Sequence, residues 1–247
     1  MSKQRIDILL QTRGIAESRT KAQAMIMAGV VLVNEHRVEK PSETYQDDVP
    51  IRIKGESPES RYVSRGGLKL EKALEEFHID AAGFCCLDIG SSTGGFTDCL
   101  LRHGAERVYA IDSGTNQLAW KLRNDPRVEV RENTNARDLK PNDFQAAFDL
   151  IVMDVSFISV TKIFPALMDL LARGGRIITL IKPQFEVGRG EVGKGGIVRE
   201  PEKHERVVRE INEFAGKLGL ACLGVIESPI LGAEGNKEFL SLYERAK

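Results

Sequence analysis

The sequence predicts an α/β protein in two parts. A small α+β unit spans residues 1–54, and a Rossmann-like domain with a seven-stranded, mostly parallel sheet spans residues 62–247. Three observations predict this. From residue 83 onward, short apolar runs alternate with helical patterns, as in a doubly wound sheet. A glycine-rich segment, Leu87-Asp-Ile-Gly-Ser-Ser-Thr-Gly-Gly-Phe, joins the first of these runs to a helix. Charged residues also stand directly after buried runs, at the carboxyl edge where open α/β sheets bind ligands.

The elements follow in order. Arg5, Ile6, Ile8 and Leu9 begin a short amphipathic helix that Gly14 stops. Ser18 is placed to cap a second helix, and Gly29 lies just past its end. Val30 to Val33 and Arg37-Val38 read as short strands around the turn Asn34-Glu35. The polar, turn-rich stretch Gly55-Glu-Ser-Pro-Glu-Ser predicts a linker over 55–61. Lys69 opens a helical pattern. Strands are expected at 85–89, 107–111, 128–131, 149–154, 176–181, 221–227 and 238–244.

Composition narrows the function. The 247 residues are 42% hydrophobic, enough for a substantial core. Net charge is -1, so any nucleic-acid site must be local. The N-terminus Met-Ser-Lys-Gln-Arg-Ile-Asp lacks an apolar signal core. No run of 18 apolar residues predicts a membrane span. Cys85, Cys86, Cys99 and Cys222 show no Cys-x-x-Cys spacing and read as reduced packing residues of a cytoplasmic protein. The four histidines form no metal pattern, and no metal is expected. Oligomeric state is not legible.

Residues 1–40 hold seven Lys/Arg and four Asp/Glu, a local excess of three positive charges. Arg5, Arg13, Arg19 and Lys21 cluster on the two helices, where they can meet phosphates. Charge alone favours an ordinary solvated face. The stretches Arg5-Ile-Asp, Ser18-Arg-x-x-Ala-Gln-x-x-Ile-x-x-Gly and Val31-x-Val-Asn-x-x-x-Val, however, resemble the RNA-binding module of the ribosomal protein S-four type. That resemblance implies RNA binding.

The glycines at 90, 94 and 95 permit a tight turn and close approach of a ligand. Asp112 ends the second strand of the domain, where an acidic side chain can accept hydrogen bonds from ribose hydroxyls. Dinucleotide and S-adenosylmethionine sites share this geometry. A dinucleotide fingerprint needs Gly-x-Gly-x-x-Gly, but Ser92 stands at its second glycine. S-adenosylmethionine carries no phosphates, so the departure favours it. Gly90, Ser91, Gly94 and Gly95, with Asp88 and Phe96 beside them, should line the methionine moiety. Asp112 should hold the ribose, and Asn135 and Ala136 should flank adenine. Gly188-Arg-Gly-Glu-Val-Gly-Lys formally approaches a phosphate-binding loop, but Gly195 replaces the hydroxyl residue that would hold magnesium. ATP binding there is rejected. Its glycines suggest instead a mobile lid, or a plain surface loop.

Residues 62–245 resemble the FtsJ-like ribose 2′-O-methyltransferases, and with the N-terminal module the chain resembles the TlyA, or haemolysin A, family. The matching stretches are Tyr62-Val-Ser-Arg-Gly-Gly-Leu-Lys-Leu, Asp88-Ile-Gly-Ser-Ser-Thr-Gly-Gly-Phe-Thr, Met153-Asp-Val-Ser-Phe-Ile-Ser, Leu180-Ile-Lys-Pro-Gln-Phe-Glu and Asn236-Lys-Glu-Phe-Leu. The family's Lys-Asp-Lys-Glu tetrad falls on Lys69, Asp154, Lys182 and Glu238. The resemblance implies methylation of cytidine ribose in ribosomal RNA, with ribosomal RNA or ribosomal subunits as the partner; members modify the large subunit, and some also the small one.

Two lysines and two carboxylates suit a hydroxyl that must lose a proton. Lys182 can draw that proton away if burial or a neighbouring cation keeps it neutral. Alternatively, it stays charged and steers the oxygen lone pair by a hydrogen bond. Asp154 is expected to orient Lys182 and Lys69, and Glu238 to fix Lys69 and the ribose. Two other readings stand beside this one. A membrane-active haemolysin would need an apolar hairpin or strongly basic amphipathic helix, and the sequence has neither. An inert RNA-binding assembly factor would not need the intact tetrad.

Overall fold

The computed structural model of the chain describes residues 3–53, 61–188 and 190–245. Of the expected linker 55–61, only Arg61 falls among them. The chain divides into two units, Met1–Arg61 and Tyr62–Lys247.

The first unit runs β1 (Lys3–Arg5), α1 (Ile6–Thr12), α2 (Arg19–Met27), β2 (Val31–Val33), β3 (His36–Arg37), β4 (Thr44–Gln46) and β5 (Ile51–Ile53). Ser18 caps α2 as expected, its hydroxyl accepting the Lys21 N–H at 3.2 Å. Gly29, at φ +71°, ends it. Asn34 and Glu35 both take positive φ, 49° and 65°, as the tight turn between β2 and β3 requires. Ile6, Leu10, Ala22, Ile26, Val31 and Ile53 form the core. The pairing of β1 with β4 and of β2 with β5 was not legible, because three-residue strands carry too little alternation.

The second unit runs α3 (Gly66–Glu76), β6 (Cys85–Ile89), α4 (Gly95–Arg102), β7 (Arg107–Ile111), α5 (Trp120–Arg123), β8 (Val128–Arg131), β9 (Phe148–Met153), α6 (Phe164–Leu167), β10 (Leu171–Ile181), α7 (Pro183–Glu186), α8 (Pro201–Lys217), β11 (Leu220–Glu227) and β12 (Phe239–Arg245). Its seven strands lie in the order β11-β12-β10-β9-β6-β7-β8. Strands β6 to β10 pair in parallel, whereas β12 runs antiparallel to both β10 and β11. The chain leaves β6 towards β7 and β8, then returns to β6's other side as β9. That reversal opens a crevice beyond the carboxyl ends of β6 and β9.

The central strands β6, β9 and β10 are covered on both faces, so they are largely apolar. Along β9, Leu150 and Val152 join α3 and α4 residues such as Leu70 and Leu100, while Ile151 and Met153 join Phe164, Val207 and Ile211. Cys86 and Cys99 are buried in this packing, Cys222 is exposed, and all four cysteines are free. Asp112, Asp154 and Lys182 each occupy the first position after a strand, and Glu238 the last before β12. No helix among the described residues is long and apolar enough to cross a membrane.

Candidate active site

The turn after β6 is fixed by backbone bonds. Gly90 and Ser91 both donate their N–H to the Ile111 carbonyl, at 2.9 and 3.0 Å. Gly90 has φ +78°, and a β-carbon there would collide with the carbonyl of Asp154. Only glycine lets β6 and β9 approach so closely at this edge. Ser92 takes a left-handed φ of 47°. Its N–H is held at 2.8 Å by Asp112 Oδ2, while Asp112 Oδ1 accepts from Gly114 at 2.7 Å. A carboxylate has further lone pairs, so Asp112 still has acceptors to offer a ligand.

Two cavities meet over this turn. The larger, about 570 Å³, is lined by Asp112, Asn135, Ala136, Arg137, Ser156 and Phe157 among others. The smaller, about 250 Å³, is lined by Arg65, Lys69, Ser91, Gly95, Phe96 and the segment from Ile230 to Ala233. Gly90, Ser92 and Asp154 belong to both.

The four tetrad residues gather here as two ion pairs. Lys69 Nζ lies 2.5 Å from Glu238 Oε2, and both side chains are buried. Lys182 Nζ lies 2.6 Å from Asp154 Oδ1. The expected contact from Asp154 to both lysines is divided: the bonds among described residues tie Asp154 to Lys182 and Glu238 to Lys69. Lys69 and Asp154 nevertheless face one cavity. Residues 228–238 form a closed loop, with Ser228 N–H donating to the Glu238 carbonyl at 2.9 Å. A β-carbon on Gly232 would overlap the Glu238 carboxylate, so this loop backs the acid closely.

Residues 62–245 match the family described as FtsJ-like methyltransferase, and residues 4–48 match the S4 domain. The chain belongs to the FtsJ-like methyltransferase family. It is 46% identical over 235 residues to "16S/23S rRNA (cytidine-2′-O)-methyltransferase TlyA" of Mycobacterium tuberculosis, across 95% of this chain and 87% of that protein. It is also 46% identical over 238 residues to "Hemolysin A" of Brachyspira hyodysenteriae, across 96% of this chain and 98% of that one. A solved structure, "Putative hemolysin from Streptococcus thermophilus", is similar with a TM-score of 0.75 at 46% identity, covering 100% of this chain and 90% of that one.

The protein is thus a methyltransferase whose methyl donor is S-adenosylmethionine. The cavity linings offer such a donor a carboxylate, Asp112, an amide, Asn135, and the bare backbone of Gly90. Of the expected cofactor residues, Gly90, Ser91, Gly95, Phe96, Asp112, Asn135 and Ala136 line the two cavities. Asp88 and Gly94 line neither. Gly94 turns the chain into α4 at φ +98°, with its open side against Leu118 and Leu122. Asp88 is fully buried beneath the turn, accepting from the Thr97 hydroxyl at 2.6 Å while its Oδ1 has no partner. Burial, with Asp154 and Asp112 nearby, pushes its carboxyl up to about 7. Asn135 Oδ1 accepts from the Arg137 backbone and side chain, at 3.1 and 3.2 Å. That leaves its NH₂ group as the free end.

Some site residues escaped sequence reasoning. Phe157 is 90% exposed, at φ +65°, its ring 5.0 Å from that of Phe185. Such a residue is unusual in an apolar side chain, and its place within Met153-Asp-Val-Ser-Phe was the available signal. Ser156 and Arg65 also line the cavities. The glycine-rich loop lines neither; Arg189 lies outside the described residues. Glu191 pairs with Arg206 at 2.8 Å, and the Asn236 amide joins Val198 N–H and the Gly196 carbonyl, each at 3.0 Å. These bonds fasten the loop's two ends.

In the first unit, the side chains of three of the four expected RNA contacts have local partners. Arg5 and Arg19 both bond the buried Asp7 carboxylate. Arg13 donates to the carbonyls of Val49, at 2.6 Å, and Asp47. The Lys21 side chain is on an exposed position.

Proposed function

We propose that this protein transfers a methyl group from S-adenosylmethionine to the ribose 2′-hydroxyl of a cytidine in ribosomal RNA. The carrying observation is the placement of Asp154, which lines both cavities while pairing with Lys182. The cofactor side and the tetrad side thereby meet at one carboxylate. The relative from M. tuberculosis, named for cytidine 2′-O-methylation, and the S4 domain support the substrate.

Bound in the larger cavity, S-adenosylmethionine supplies a methyl group bonded to a sulfonium sulfur. The protein's own work is to hold the acceptor oxygen. Lys182 stands at the junction with an ammonium that can donate to the 2′-oxygen and orient its lone pair. As the oxygen–carbon bond forms and the sulfur–carbon bond breaks, the electron pair returns to sulfur and the hydroxyl proton passes to water in the open crevice, while Lys182 stays paired with Asp154. Lys69, fixed by Glu238, supplies a second cation on the ribose side. Alignment of this kind can contribute roughly 7–11 kcal/mol to such a reaction. Phe157 offers an exposed face on which an unstacked base can rest. Arg65 and Arg137, both exposed on the crevice walls, suit a phosphate backbone. The partner is ribosomal RNA or a subunit carrying it, and the enzyme's place is the cytoplasm.

The test uses Lys182→Ala and a target with one 2′-deoxyribose. Lys182→Ala should abolish methyl transfer while leaving cofactor and RNA affinity nearly unchanged. Lys182→Arg should fail too, since the guanidinium fork is the wrong shape for a point contact. RNA lacking the target 2′-hydroxyl should bind and accept no methyl. Methylation of that deoxy substrate would place the chemistry on the base and overturn the proposal.

A further inference from the structure

We propose that Ser156 is a positioning residue for methyl transfer, its hydroxyl setting the direction in which the Lys182 ammonium points. The inference rests on Lys182 acting at the 2′-oxygen, as proposed above. It starts from a difference between the two groups around Lys182. Asp154 Oδ1 is 2.6 Å from Nζ, yet that oxygen is buried and receives no aligned hydrogen bond. Ser156 Oγ accepts from the same Nζ at 2.9 Å with hydrogen-bond geometry. Asp154 supplies charge, and Ser156 supplies direction.

That distinction matters for an ammonium. Its three N–H bonds rotate about Cε–Nζ, and a nearby charge fixes the nitrogen's position better than the rotor's phase. A directed acceptor fixes the phase. With one N–H on Ser156, with Asp154 to one side and with the Phe185 ring centroid 5.9 Å away, the remaining donors have a defined orientation. Ser156 follows Asp154 by two residues and lines the same cavity, so one turn after β9 sets both the charge and the direction. Ser156 itself is exposed, which gives it no packing role in the core.

The experiment compares full-length wild type, Ser156→Ala, Ser156→Thr and Lys182→Ala on ribosomal RNA in single-turnover assays. Ser156→Ala should lower the methyl-transfer rate at least about tenfold, the usual consequence of losing a hydrogen bond to a charged group. Cofactor Kd, RNA Kd and thermal midpoint should stay at wild-type values. Ser156→Thr keeps the hydroxyl and should restore most of the rate. A wild-type rate in Ser156→Ala overturns the inference, provided that Lys182→Ala is inactive. An active Lys182→Ala overturns the functional reading instead, and this inference with it. A slow Ser156→Ala that also binds cofactor weakly, or melts early, assigns Ser156 a structural role and overturns its positioning one. A slow Ser156→Thr does the same.

Discussion

The Lys69 ammonium and the Glu238 carboxylate, 169 residues apart in sequence, form a buried ion pair of 2.5 Å that joins α3 to the start of β12. Removing one partner leaves the other charge stranded away from water. Glu238→Ala should therefore destabilise the catalytic unit by about 3–5 kcal/mol, in addition to losing activity. Replacing both, as Lys69→Met with Glu238→Leu, should recover most of that stability, because an apolar pair of similar volume needs no compensating charge. It should recover no methyl transfer. Thermal unfolding beside a methyl-transfer assay separates the two effects. An active double variant would remove the pair from the mechanism.

Asp112 is expected to bind the cofactor twice over. It offers acceptors to a ribose, and it holds the N–H groups of Ser92 and Gly114 that shape the cavity wall. Asp112→Ala should weaken S-adenosylmethionine binding by at least about tenfold, since bonds to a charged acceptor contribute about 1.5–3 kcal/mol each. Asp112→Asn can still accept one bond and should fall between. Calorimetric titration with the cofactor is the measurement, and an unchanged affinity in Asp112→Ala would reject the assignment.

These two residues also show why much of the site was legible. Asp112 and Glu238 flank apolar runs, and a charge at the end of a buried strand announces the sheet's carboxyl edge before any coordinates exist. Both pairings, Lys69 with Glu238 and Lys182 with Asp154, were among the expected contacts; the further one expected from Asp154 to Lys69 is not among the ion pairs of the described residues, and the order of β10, β9 and β12 that divides the pairs is not written in any one motif. Ser156 and Phe157 escaped for another reason. Their roles come from a turn that gives Phe157 a left-handed backbone, and no hydrophobic period encodes that. Asp88 was assigned to the cofactor from its place in a motif. The structure puts it behind the turn, where its burial could not be read from neighbouring glycines.

Asp88 should make stability depend on pH. Its carboxyl is raised from an ordinary value of 3.8 to about 7, first by burial and then by Asp154 and Asp112, against the Thr97 hydrogen bond. Below pH 3.8 the group is protonated in folded and unfolded chains alike, so no penalty exists. Between there and about 7 the unfolded chain releases a proton that the folded one keeps, so stability falls as pH rises. Asp88→Asn mimics the protonated form. Its advantage over wild type should grow across that window and level off above it, approaching roughly 4 kcal/mol. Denaturant unfolding at pH 4, 6 and 8 on the cofactor-free protein measures this. A difference that does not change with pH would refute the burial argument.

Lys21 is the cleanest probe of RNA binding by the first unit. Asp7 is completely buried, and the Arg5 guanidinium beside it, with Gln23 and Arg19, holds its carboxyl well below the usual carboxylate range. Reversing Arg5 or Arg19 would set a second negative charge against that carboxylate, so those variants should melt earlier and confuse binding with unfolding. Arg13 is similarly engaged, on the carbonyls of Val49 and Asp47. Lys21 contributes its backbone N–H to the Ser18 cap, while its side chain is exposed. Lys21→Glu should therefore leave the thermal midpoint in place and weaken RNA binding. Each phosphate contact releases close to one counterion, so the slope of log affinity against log salt should fall by about one. Titrating ribosomal RNA fragments at three salt concentrations gives that slope directly. If Lys21→Glu binds RNA with wild-type affinity and slope, the phosphate-contacting face lies elsewhere on the protein, and the placement of RNA on α2 is wrong.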